Sequence, residues 1–403
     1  MTPSDDPARQ GTILIANPSG DLYGSDRMML EAARGLVRDG WRTVVTCASD
    51  GPLVARLREA GAEVVVLSAP VVRKSMLSPR GMAALLRDIV TRLPRMRRLV
   101  REVDPDVVLV NTVTVPFWTL AARTCGTPAV VYVHEAEAGL SGPARALLTA
   151  PLRLATGVVF NSETSRRVAG WESADRQLRA DVVPNGVVGP AQARPARLEI
   201  TGPLRVVYVG RLSPRKGTDL VLRAAARLRD AGVETDVEIV GSVFPGYEWY
   251  ETELRELVDQ LDLAAQVRFT GFRETVWREL ADADVAVVPS RLDESFGNVV
   301  IEALLSERPV VVADHTGLAE AASGFSAAVL VPSDDEEALA RGLLQVRDGW
   351  THYRAGARRD AARARREYGT DRFHARLLRA LRRHTAPAPS AAPGDRQWTP
   401  ALD

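Results

Sequence analysis

The stretch GRLSPRKGTDL, residues 210–220, places three cations close together directly after the apolar run LRVVYV. They are Arg211, Arg215 and Lys216, and they lie where a strand is expected to turn into a helix. Because a helix N-terminus carries partial positive charge, cations there are unfavourable unless an external anion joins them. Phosphate is the anion that suits such a turn best. A solvated loop is the alternative in a chain with 50 arginines, but Lys216 is one of only two lysines, and we interpret the turn as a phosphate site.

A second stretch, DESFGNVVIEALL, carries two carboxylates eight residues apart, Glu294 and Glu302. The pattern predicts a helix from about residue 297 to about residue 306, in which Val, Ile, Ala and Leu surround Glu302. A carboxylate buried in this way needs hydrogen-bond donors, and sugar hydroxyls can supply them. An internal arginine partner, or a Glu302 side chain that reaches solvent, is the alternative.

The loop before that helix would present free backbone N–H groups at residues 295–298, which also suit a phosphate. The alternative is structural: Ser295 would be the N-cap of the helix, and Glu294 would favour its terminus electrostatically.

Two weaker candidates lie in the first half of the chain. The stretch SGDLYGSDRMML contains Gly20 and Gly24, at which the backbone could approach a ligand closely. It lacks the G-x-G-x-x-G pattern of nicotinamide-binding folds, which weakens a dehydrogenase interpretation. The stretch AVVYVHEAEAG places His134 and Glu135 at the end of an expected strand, where a packed structural histidine is an equal alternative.

The elements that would position these residues are short β-branched runs alternating with amphipathic ones. Most of the short runs are continuously apolar, as expected for strands buried on both faces of a parallel sheet, so the fold class is α/β. The pattern stops at residues 184–203, which are rich in Pro and Gly, so we expect two doubly wound domains facing a cleft. The twelve runs are TILIANP, RTVVTCAS, AEVVVLSA, DVVLVNT, AVVYVHE, GVVFNS, LRVVYVG, DVEIVG, QVRFTGF, DVAVVPS, PVVVADH and AAVLVPS.

The domain boundaries follow from this pattern. We expect a first domain over residues 1–187, a linker over 188–203 and a second domain over 204–368. A helix over 369–384 is expected to cross back to the first domain, and the Pro- and Ala-rich residues 385–403 are expected to be disordered.

Composition excludes several classes. With 403 residues, two domains of about 150–200 residues are expected, and a net charge of +1 argues against a nucleic-acid partner. No run approaches the roughly 20 apolar residues of a membrane span, and the start of the chain does not resemble a secretory signal. Cys47 and Cys125 are the two cysteines, and no Cys/His cluster has metal-ligand spacing. We expect a cytoplasmic protein without a metal site.

One region departs from this neutral balance. Residues 73–101 contain nine cations and one acid, Asp88, mixed with Met, Leu, Ile and Val. Basic amphipathic segments bind anionic lipid surfaces, so a peripheral contact with the inner face of the plasma membrane is one interpretation. A surface helix with solvated arginines is the other.

Taken together, these stretches resemble the retaining glycosyltransferases of family 4, which have the GT-B fold of two facing Rossmann-like domains. The resemblance runs from TILIANP to the arginine-rich C-terminal helices. It rests on the E-x(7)-E motif in ESFGNVVIE, on GRLSPRKG, on VPNGV, on the His-Glu pair and on PVVVADHTGLAE. Each is weak alone, and their order and spacing make the match specific.

The resemblance implies roles for individual residues. Arg211 and Lys216 would hold the diphosphate of a nucleotide-sugar donor in place of a metal ion, and Glu302 would bind the ribose hydroxyls. Glu294 and His134 would lie against the transferred sugar. The implied catalytic residues are Glu294, His134, Arg211 and Lys216; the implied donor-binding residues are Gly24, Arg211, Lys216, Phe272, Arg273, Glu294, Ser295, Phe296, Gly297, Asn298 and Glu302.

Two positions depart from the family pattern. The usual Gly-Gly-x-Glu reads Tyr23-Gly24-Ser25-Asp26 here, in a loop that faces the acceptor in the family. Ser295 stands where Gly is common, a frequent alternative.

The implied reaction transfers the sugar to a hydroxyl with retention of configuration and without a cofactor or metal. We expect a cell-surface polysaccharide, a glycolipid or a lipid-linked glycan as acceptor in preference to a small natural product. A nucleotide-sugar 2-epimerase of the same fold and a catalytically silent nucleotide-sugar-binding protein are the alternatives. The intact Arg211, Lys216, Glu294 and Glu302 argue against the silent protein.

Overall fold

The computed structural model describes residues 10–22, 24–72, 78–136, 139, 142–171 and 179–385. Its two halves are built alike, each around one parallel sheet covered by helices.

The first half contains a seven-stranded sheet in the order β3-β2-β1-β4-β5-β6-β7, and every pairing is parallel. Strands β4, β5 and β6 are buried at every residue, which explains their unbroken apolar sequences. The strands are β1 (Thr12–Ala16), β2 (Arg42–Cys47), β3 (Glu63–Val66), β4 (Val107–Val110), β5 (Ala129–Val133), β6 (Gly157–Phe160) and β7 (Arg179–Val182). The helices are α1 (Gly24–Arg38), α2 (Pro52–Glu59), α3 (Pro79–Val103), α4 (Phe117–Thr124), α5 (Gly142–Thr149) and α6 (Glu163–Val168).

The second half contains a six-stranded parallel sheet in the order β10-β9-β8-β11-β12-β13. In both sheets the strand order reverses beside the first strand, which is the doubly wound pattern. The strands are β8 (Leu204–Val209), β9 (Thr235–Val240), β10 (Val267–Gly271), β11 (Val285–Val288), β12 (Val310–Ala313) and β13 (Ala328–Val331). The helices are α7 (Thr218–Asp230), α8 (Glu248–Gln260), α9 (Trp277–Asp282), α10 (Asn298–Leu305), α11 (Thr316–Ala322), α12 (Glu336–Asp348), α13 (Trp350–Tyr368) and α14 (Thr370–Arg382).

The predicted fold of two Rossmann-like parallel-sheet domains is confirmed. All twelve predicted strands are present, and one strand was missed: β7, with the sequence RADV. It pairs on one side only, with β6, at the edge of the sheet. An edge strand tolerates charged residues such as Asp181, so it lacks the apolar run by which the other strands were recognised.

Two segments join the halves. Between β7 and β8 the chain is irregular, and the buried Arg308 fixes part of it by donating to the carbonyl oxygen of Arg194 at 3.0 Å. The second connection is the junction between α13 and α14. Helix α13 packs on α10 of the second half. Phe373, Leu377 and Leu381 of α14 belong to the core of the first half and pack against α1. The chain therefore returns to the first domain at residue 369.

The carboxyl ends of the strands in the two sheets lie next to each other. Asn161, which follows β6, donates from Nδ2 to Oγ of Ser295, which follows β11, at 3.0 Å. The backbone N–H of Gly139, beyond β5, donates to Oδ2 of Asp293 at 2.9 Å. The loops that carry the candidate residues thus meet across the cleft.

Candidate functional site

The cationic turn after β8 has a fixed backbone. Residues Pro214–Lys216 form one turn of 3-10 helix, and Gly217 follows in the left-handed region with φ of 68°. A Cβ at Gly217 would lie 2.3 Å from the carbonyl oxygen of Pro289, so only glycine allows this approach. Helix α7 begins directly afterwards without a side-chain cap, which leaves its first N–H groups beside the cations.

Arg291 reinforces this turn from the loop after β11. Its guanidinium binds both carboxylate oxygens of Asp219 at 2.6 and 2.7 Å, and its backbone N–H donates to the carbonyl oxygen of Arg215 at 2.9 Å. Burial acts to raise the pKa of Asp219, but the hydrogen bonds and charge of Arg291 outweigh it and hold that pKa below its ordinary value. Arg291 therefore stabilises the turn. The sequence did not lead us to predict a role for this residue.

Lys216 and Glu294 are in direct contact. The Lys216 Nζ lies 2.6 Å from Glu294 Oε1, and Arg215 lies 3.5 Å from the same oxygen. The Glu294 backbone is fixed by Thr316 Oγ1 at 3.0 Å and by the N–H of Gly317, which donates to the Glu294 carbonyl oxygen at 2.9 Å. The structure thus brings the predicted phosphate turn and the first carboxylate of the motif into one cluster.

Arg211 lies at the start of the loop, where its guanidinium stacks on the ring of Phe244, with 3.2 Å from Cζ to the ring centroid. Tyr208 Oη donates to the carbonyl oxygen of Arg211 at 2.9 Å and fixes the backbone there. The orientation of Arg211 is therefore set by an aromatic face, as is common for guanidinium groups.

Glu302 lies on α10, half-buried among apolar neighbours. Burial raises its pKa, and the charge of Arg27 on α1 opposes that shift. In the described part of the chain no donor lies within hydrogen-bond distance of the Glu302 carboxylate, so the alternative of an internal arginine ion pair is wrong there. Arg27 donates instead to the carbonyl oxygen of Glu274 at 3.0 Å.

The loop before α10 is held from the first domain. Asn161 binds the Ser295 hydroxyl, and the Ser162 hydroxyl donates to the Ser295 carbonyl oxygen. The N-cap residue of α10 is Gly297, without a side-chain cap bond, so the alternative that Ser295 caps this helix is wrong. Phe296 is buried against Tyr368 with ring centroids 5.6 Å apart.

Asn298 and the turn VPNGV are also in contact. Asn185 Nδ2 donates to Asn298 Oδ1 at 2.9 Å. VPNGV therefore does more than end the first domain: it holds the first residue of α10 in place.

His134 directly follows β5 and is packed against Tyr132, with ring centroids 4.1 Å apart. Its Nε2 lies 3.0 Å from Asn111 Oδ1. Burial lowers the pKa of His134 to about 3, so the imidazole is neutral at physiological pH. The neighbouring Glu135 accepts from Thr112 Oγ1 and, at 2.9 Å, from the His134 backbone N–H, and burial raises the pKa of its carboxyl group.

The remaining predicted residues differ in their surroundings. The Phe272 ring is 57% exposed, and Arg273 forms an ion pair with Glu279 at 3.3 Å. A Cβ at Gly24 would meet nothing within 4 Å, whereas one at Gly20 would lie 2.5 Å from the Ser49 carbonyl oxygen. The close approach expected at Gly20 is therefore to the chain itself.

Several residues at the cleft were missed by sequence reasoning, most clearly three asparagines. Asn17, Asn111 and Asn161 each follow a buried strand directly, in the runs ILIAN, VLVN and VVFN. That repeated signal was available, because polar residues at the carboxyl ends of parallel strands line ligand sites in this type of fold.

The basic segment forms the long helix α3, and its residues 73–77 lie outside the described part. Beyond Pro94, Met96, Leu99 and Val100 enter the core. Before Pro94, the large apolar side chains of Met82, Leu86 and Val90 are 46%, 56% and 73% exposed, at a spacing of four residues. One face of the first half of α3 is thus apolar and uncovered.

The described ranges contain neither a candidate membrane span nor a candidate metal site. None of their helices is both long and apolar enough to cross a membrane. No three His, Cys, Asp or Glu side chains there converge in a group that could hold a metal ion.

Two protein-family models match the chain. Residues 24–186 match the glycosyl transferase 4-like domain, and residues 191–365 match glycosyl transferases group 1. The two matches meet at the irregular segment between β7 and β8.

Curated relatives include the D-inositol 3-phosphate glycosyltransferase of Jonesia denitrificans, 39% identical over 166 residues, which are 39% of this chain and 38% of the relative. The putative colanic acid biosynthesis glycosyltransferase WcaL of Escherichia coli is 32% identical over 157 residues, 37% of each chain. The aligned part thus spans about two-fifths of the length of these relatives.

Among solved structures, the Anabaena protein HepE in complex with UDP and glucose superposes with a TM-score of 0.76. The match covers 93% of this chain and 100% of HepE at 20% sequence identity. It therefore establishes the shared fold.

Proposed function

We propose that this chain, which belongs to the glycosyl transferases of group 1 and has the GT-B fold, transfers a sugar from a nucleoside-diphosphate sugar to a hydroxyl acceptor with retention of configuration. The observation that carries the proposal is the contrast between the two carboxylates of the ESFGNVVIE motif. Glu294 pairs with Lys216 at 2.6 Å, while Glu302, one helix turn deeper, has no donor in the described ranges. Glu294 lies beside a cation that can bind phosphate, and Glu302 presents a half-buried carboxylate that hydroxyl groups can bind.

The diphosphate would bind at the cationic turn. Lys216 and Arg211 would take its charge beside the positively polarised N-terminus of α7. Because Lys216 already touches Glu294, a phosphate on Lys216 would bring the attached sugar next to Glu294. These residues supply electrostatic stabilisation of the leaving group, which requires no metal ion in the proposed mechanism.

The nucleoside would bind on the other side of the diphosphate. Ribose hydroxyls would donate to the Glu302 carboxylate and satisfy a group that the chain leaves without a partner. The exposed ring of Phe272 offers a face on which a base can stack, with Arg273 beside it.

In the proposed reaction the bond between the sugar's anomeric carbon and the diphosphate oxygen breaks as the acceptor oxygen attacks from the same face. The acceptor's proton passes to an oxygen of the departing phosphate. Glu294 stabilises the positive charge that develops on the sugar, and His134 contacts a sugar hydroxyl. The contacts between Ser295 and the first domain exclude water from the reacting bond.

A donor panel tests the proposal. The purified chain is incubated with UDP-, GDP-, ADP- and dTDP-sugars, and nucleoside diphosphate and sugar products are followed by chromatography. UDP-glucose comes first, because HepE was solved with UDP and glucose. Slow release of nucleoside diphosphate by water supports the transferase; an isomerised donor would support the epimerase instead, and binding without any turnover a silent binding protein.

The acceptor side of the proposal is a cell-surface glycan or a lipid-linked sugar, reached from an anionic membrane surface. The exposed apolar face of Met82, Leu86 and Val90 on a helix that also carries Arg80 and Arg87 supports it. Flotation with vesicles, with and without anionic lipid, measures the contact. Serine at all three positions should abolish flotation, whereas serine at the exposed Leu198 and Leu330 should not. Equal flotation with both vesicle types, or none, would refute the membrane contact.

A further inference from the structure

Four side chains form a continuous hydrogen-bonded line at the carboxyl ends of β1, β4 and β5. His134 Nε2 lies 3.0 Å from Asn111 Oδ1, Asn111 Nδ2 lies 2.8 Å from Asn17 Oδ1, and Asn17 Nδ2 lies 3.0 Å from Asp26 Oδ1. Asn17, Asn111 and Asp26 are 3%, 1% and 4% exposed. Water therefore has little access to this line.

The hydrogen bonds of this line all run in the same direction, which the carboxylate of Asp26 at one end determines. A carboxylate only accepts hydrogen bonds, so Asn17 must turn its NH2 group towards Asp26 and its oxygen towards Asn111. Asn111 must then turn its NH2 group towards Asn17 and its own oxygen towards His134. Since that oxygen only accepts, the proton of a neutral His134 must be on Nε2.

Backbone groups agree with this direction. The NH2 group of Asn17 also donates to the Ser19 carbonyl oxygen at 2.9 Å, and that of Asn111 lies 3.5 Å from the Ser25 carbonyl oxygen. The Ser19 hydroxyl donates to the same Asp26 oxygen at 2.9 Å. Turning the two amides round would break their contacts with the Ser19 and Ser25 carbonyl oxygens, so the orientation does not depend on the choice of a single amide rotamer.

The opposite side of the imidazole is different. In the described ranges Nδ1 of His134 has no hydrogen-bond partner, and the residue is half-buried. The flanking groups are Tyr132, whose hydroxyl donates to the Val183 carbonyl oxygen at 2.8 Å, and Glu135, which is bound to Thr112 and to the His134 backbone. A neutral imidazole with its proton on Nε2 has a free lone pair on Nδ1.

We propose that Asp26, Asn17 and Asn111 are positioning residues that hold His134 in the tautomer protonated on Nε2, so that Nδ1 accepts a hydrogen bond from a hydroxyl of the bound sugar. The inference rests on the proposed function for its last step only. It also explains the departure at the start of α1: Asp26 replaces the glutamate of the family pattern and retains the carboxylate that sets the direction.

The test measures the tautomer directly, without any sugar. Histidine labelled with nitrogen-15 in the imidazole ring reports the protonated nitrogen by NMR, and loss of one of five signals in His134→Gln assigns the resonance. The unmodified chain should show Nε2 protonated and Nδ1 unprotonated. A proton on Nδ1 would overturn the proposal.

Variants test whether the line acts at a distance. Asn17→Leu removes a residue that forms no hydrogen bond with His134 in the described ranges, so a second tautomer should appear as the Asn111 amide becomes free to turn. Asn161→Leu, the same change after the neighbouring strand β6, should leave the tautomer unaltered. If Asn17→Leu does not fold, Asp26→Asn serves instead and should give a smaller second population, because the Ser19 carbonyl still orients Asn17. An unchanged single tautomer in every folded variant would refute the positioning role.

Turnover separates this inference from the proposed function. Once a donor is known, Asn17→Leu should lower kcat/KM by about 10-fold, as expected for one misdirected hydrogen bond to the substrate. Asp26→Glu should restore more activity than Asp26→Asn. Failure of the donor panel leaves the tautomer measurement valid, and failure of the tautomer measurement leaves the donor panel valid.

Discussion

The polar side chains at the carboxyl ends of the two sheets are arranged in opposite ways. In the first domain, Asn17, Asn111 and His134 are bound to one another and end on Asp26. In the second domain, charged groups lie close together and Glu302 has no hydrogen-bond partner in the described ranges. Asn17, Asn111 and Asp26 are hydrogen-bonded to one another and keep their positions whatever binds. Ionic groups without a fixed partner can instead bind a new one. The first domain thus offers a fixed template, and the second offers the groups that can take up charge.

The largest expected effect comes from removing a cation of the second domain. Lys216→Ala should lower kcat/KM by about 100- to 1,000-fold, because it removes a charge that stabilises the leaving diphosphate and also frees Glu294. Steady-state kinetics with the donor found in the panel measures this. Arg341→Ala, which removes an exposed cation paired with Glu337 on α12, is the matched control and should be near normal. Near-normal kinetics in Lys216→Ala would contradict the site.

The next largest effect is expected at Glu302, where donor binding and stability should change in opposite directions. Glu302→Leu should abolish donor binding by calorimetry yet raise the free energy of unfolding at neutral pH by about 1 kcal/mol, since it removes a carboxylate without a partner. Glu256→Leu, at an exposed position of α8 in the same domain, should do neither. A destabilised Glu302→Leu variant would show that the chain satisfies this carboxylate internally.

The same residue predicts a pH dependence. Burial raises the pKa of Glu302, so between its ordinary pKa and the raised one the folded chain holds more protons than the unfolded chain. The contribution of Glu302 to stability therefore falls as pH rises through that interval. Urea titrations at several acidic pH values should show that the free energy of unfolding of Glu302→Leu exceeds that of the unmodified chain by most above this interval. A difference in free energy that does not change with pH would disprove the assignment.

The smallest expected effect lies where the two domains touch. Glu320 of α11 accepts from the backbone N–H groups of Glu163 and Thr164 at 2.8 and 2.7 Å and from the Thr164 hydroxyl at 2.8 Å. Glu320→Ala removes this cap on α6 and should raise the donor KM a few-fold, because closure then has fewer contacts. Small-angle X-ray scattering should show a larger radius of gyration for Glu320→Ala than for the unmodified chain. Glu163→Ala provides the control, since its carboxylate binds Arg166 within α6; equal behaviour of both variants would rule out the cross-domain contact as a closing element.

The sequence was sufficient to predict the fold, because the fold depends on local patterns. Buried parallel strands are unbroken apolar runs, and β7 was missed because Asp181 interrupts such a run at an edge. The pairing of Lys216 with Glu294 was beyond sequence reasoning, since the two residues come together only when β8 and β11 pair. For the same reason the Asn17–Asn111 contact, which joins residues 94 positions apart, could not be read from spacing.

The return of α14 to the first domain has a consequence for biosynthesis. His374 on this helix binds the carbonyl oxygen of Glu31 on α1, 343 residues earlier, and Phe373 and Leu377 complete the same core. At about 5 to 20 residues per second, a ribosome needs roughly 20 to 70 s to make the chain between them. During that interval the apolar face of α1 emerges without its partner, although the rest of its domain has been made. The core of the first domain is therefore completed only by residues that are synthesised after those of the second domain.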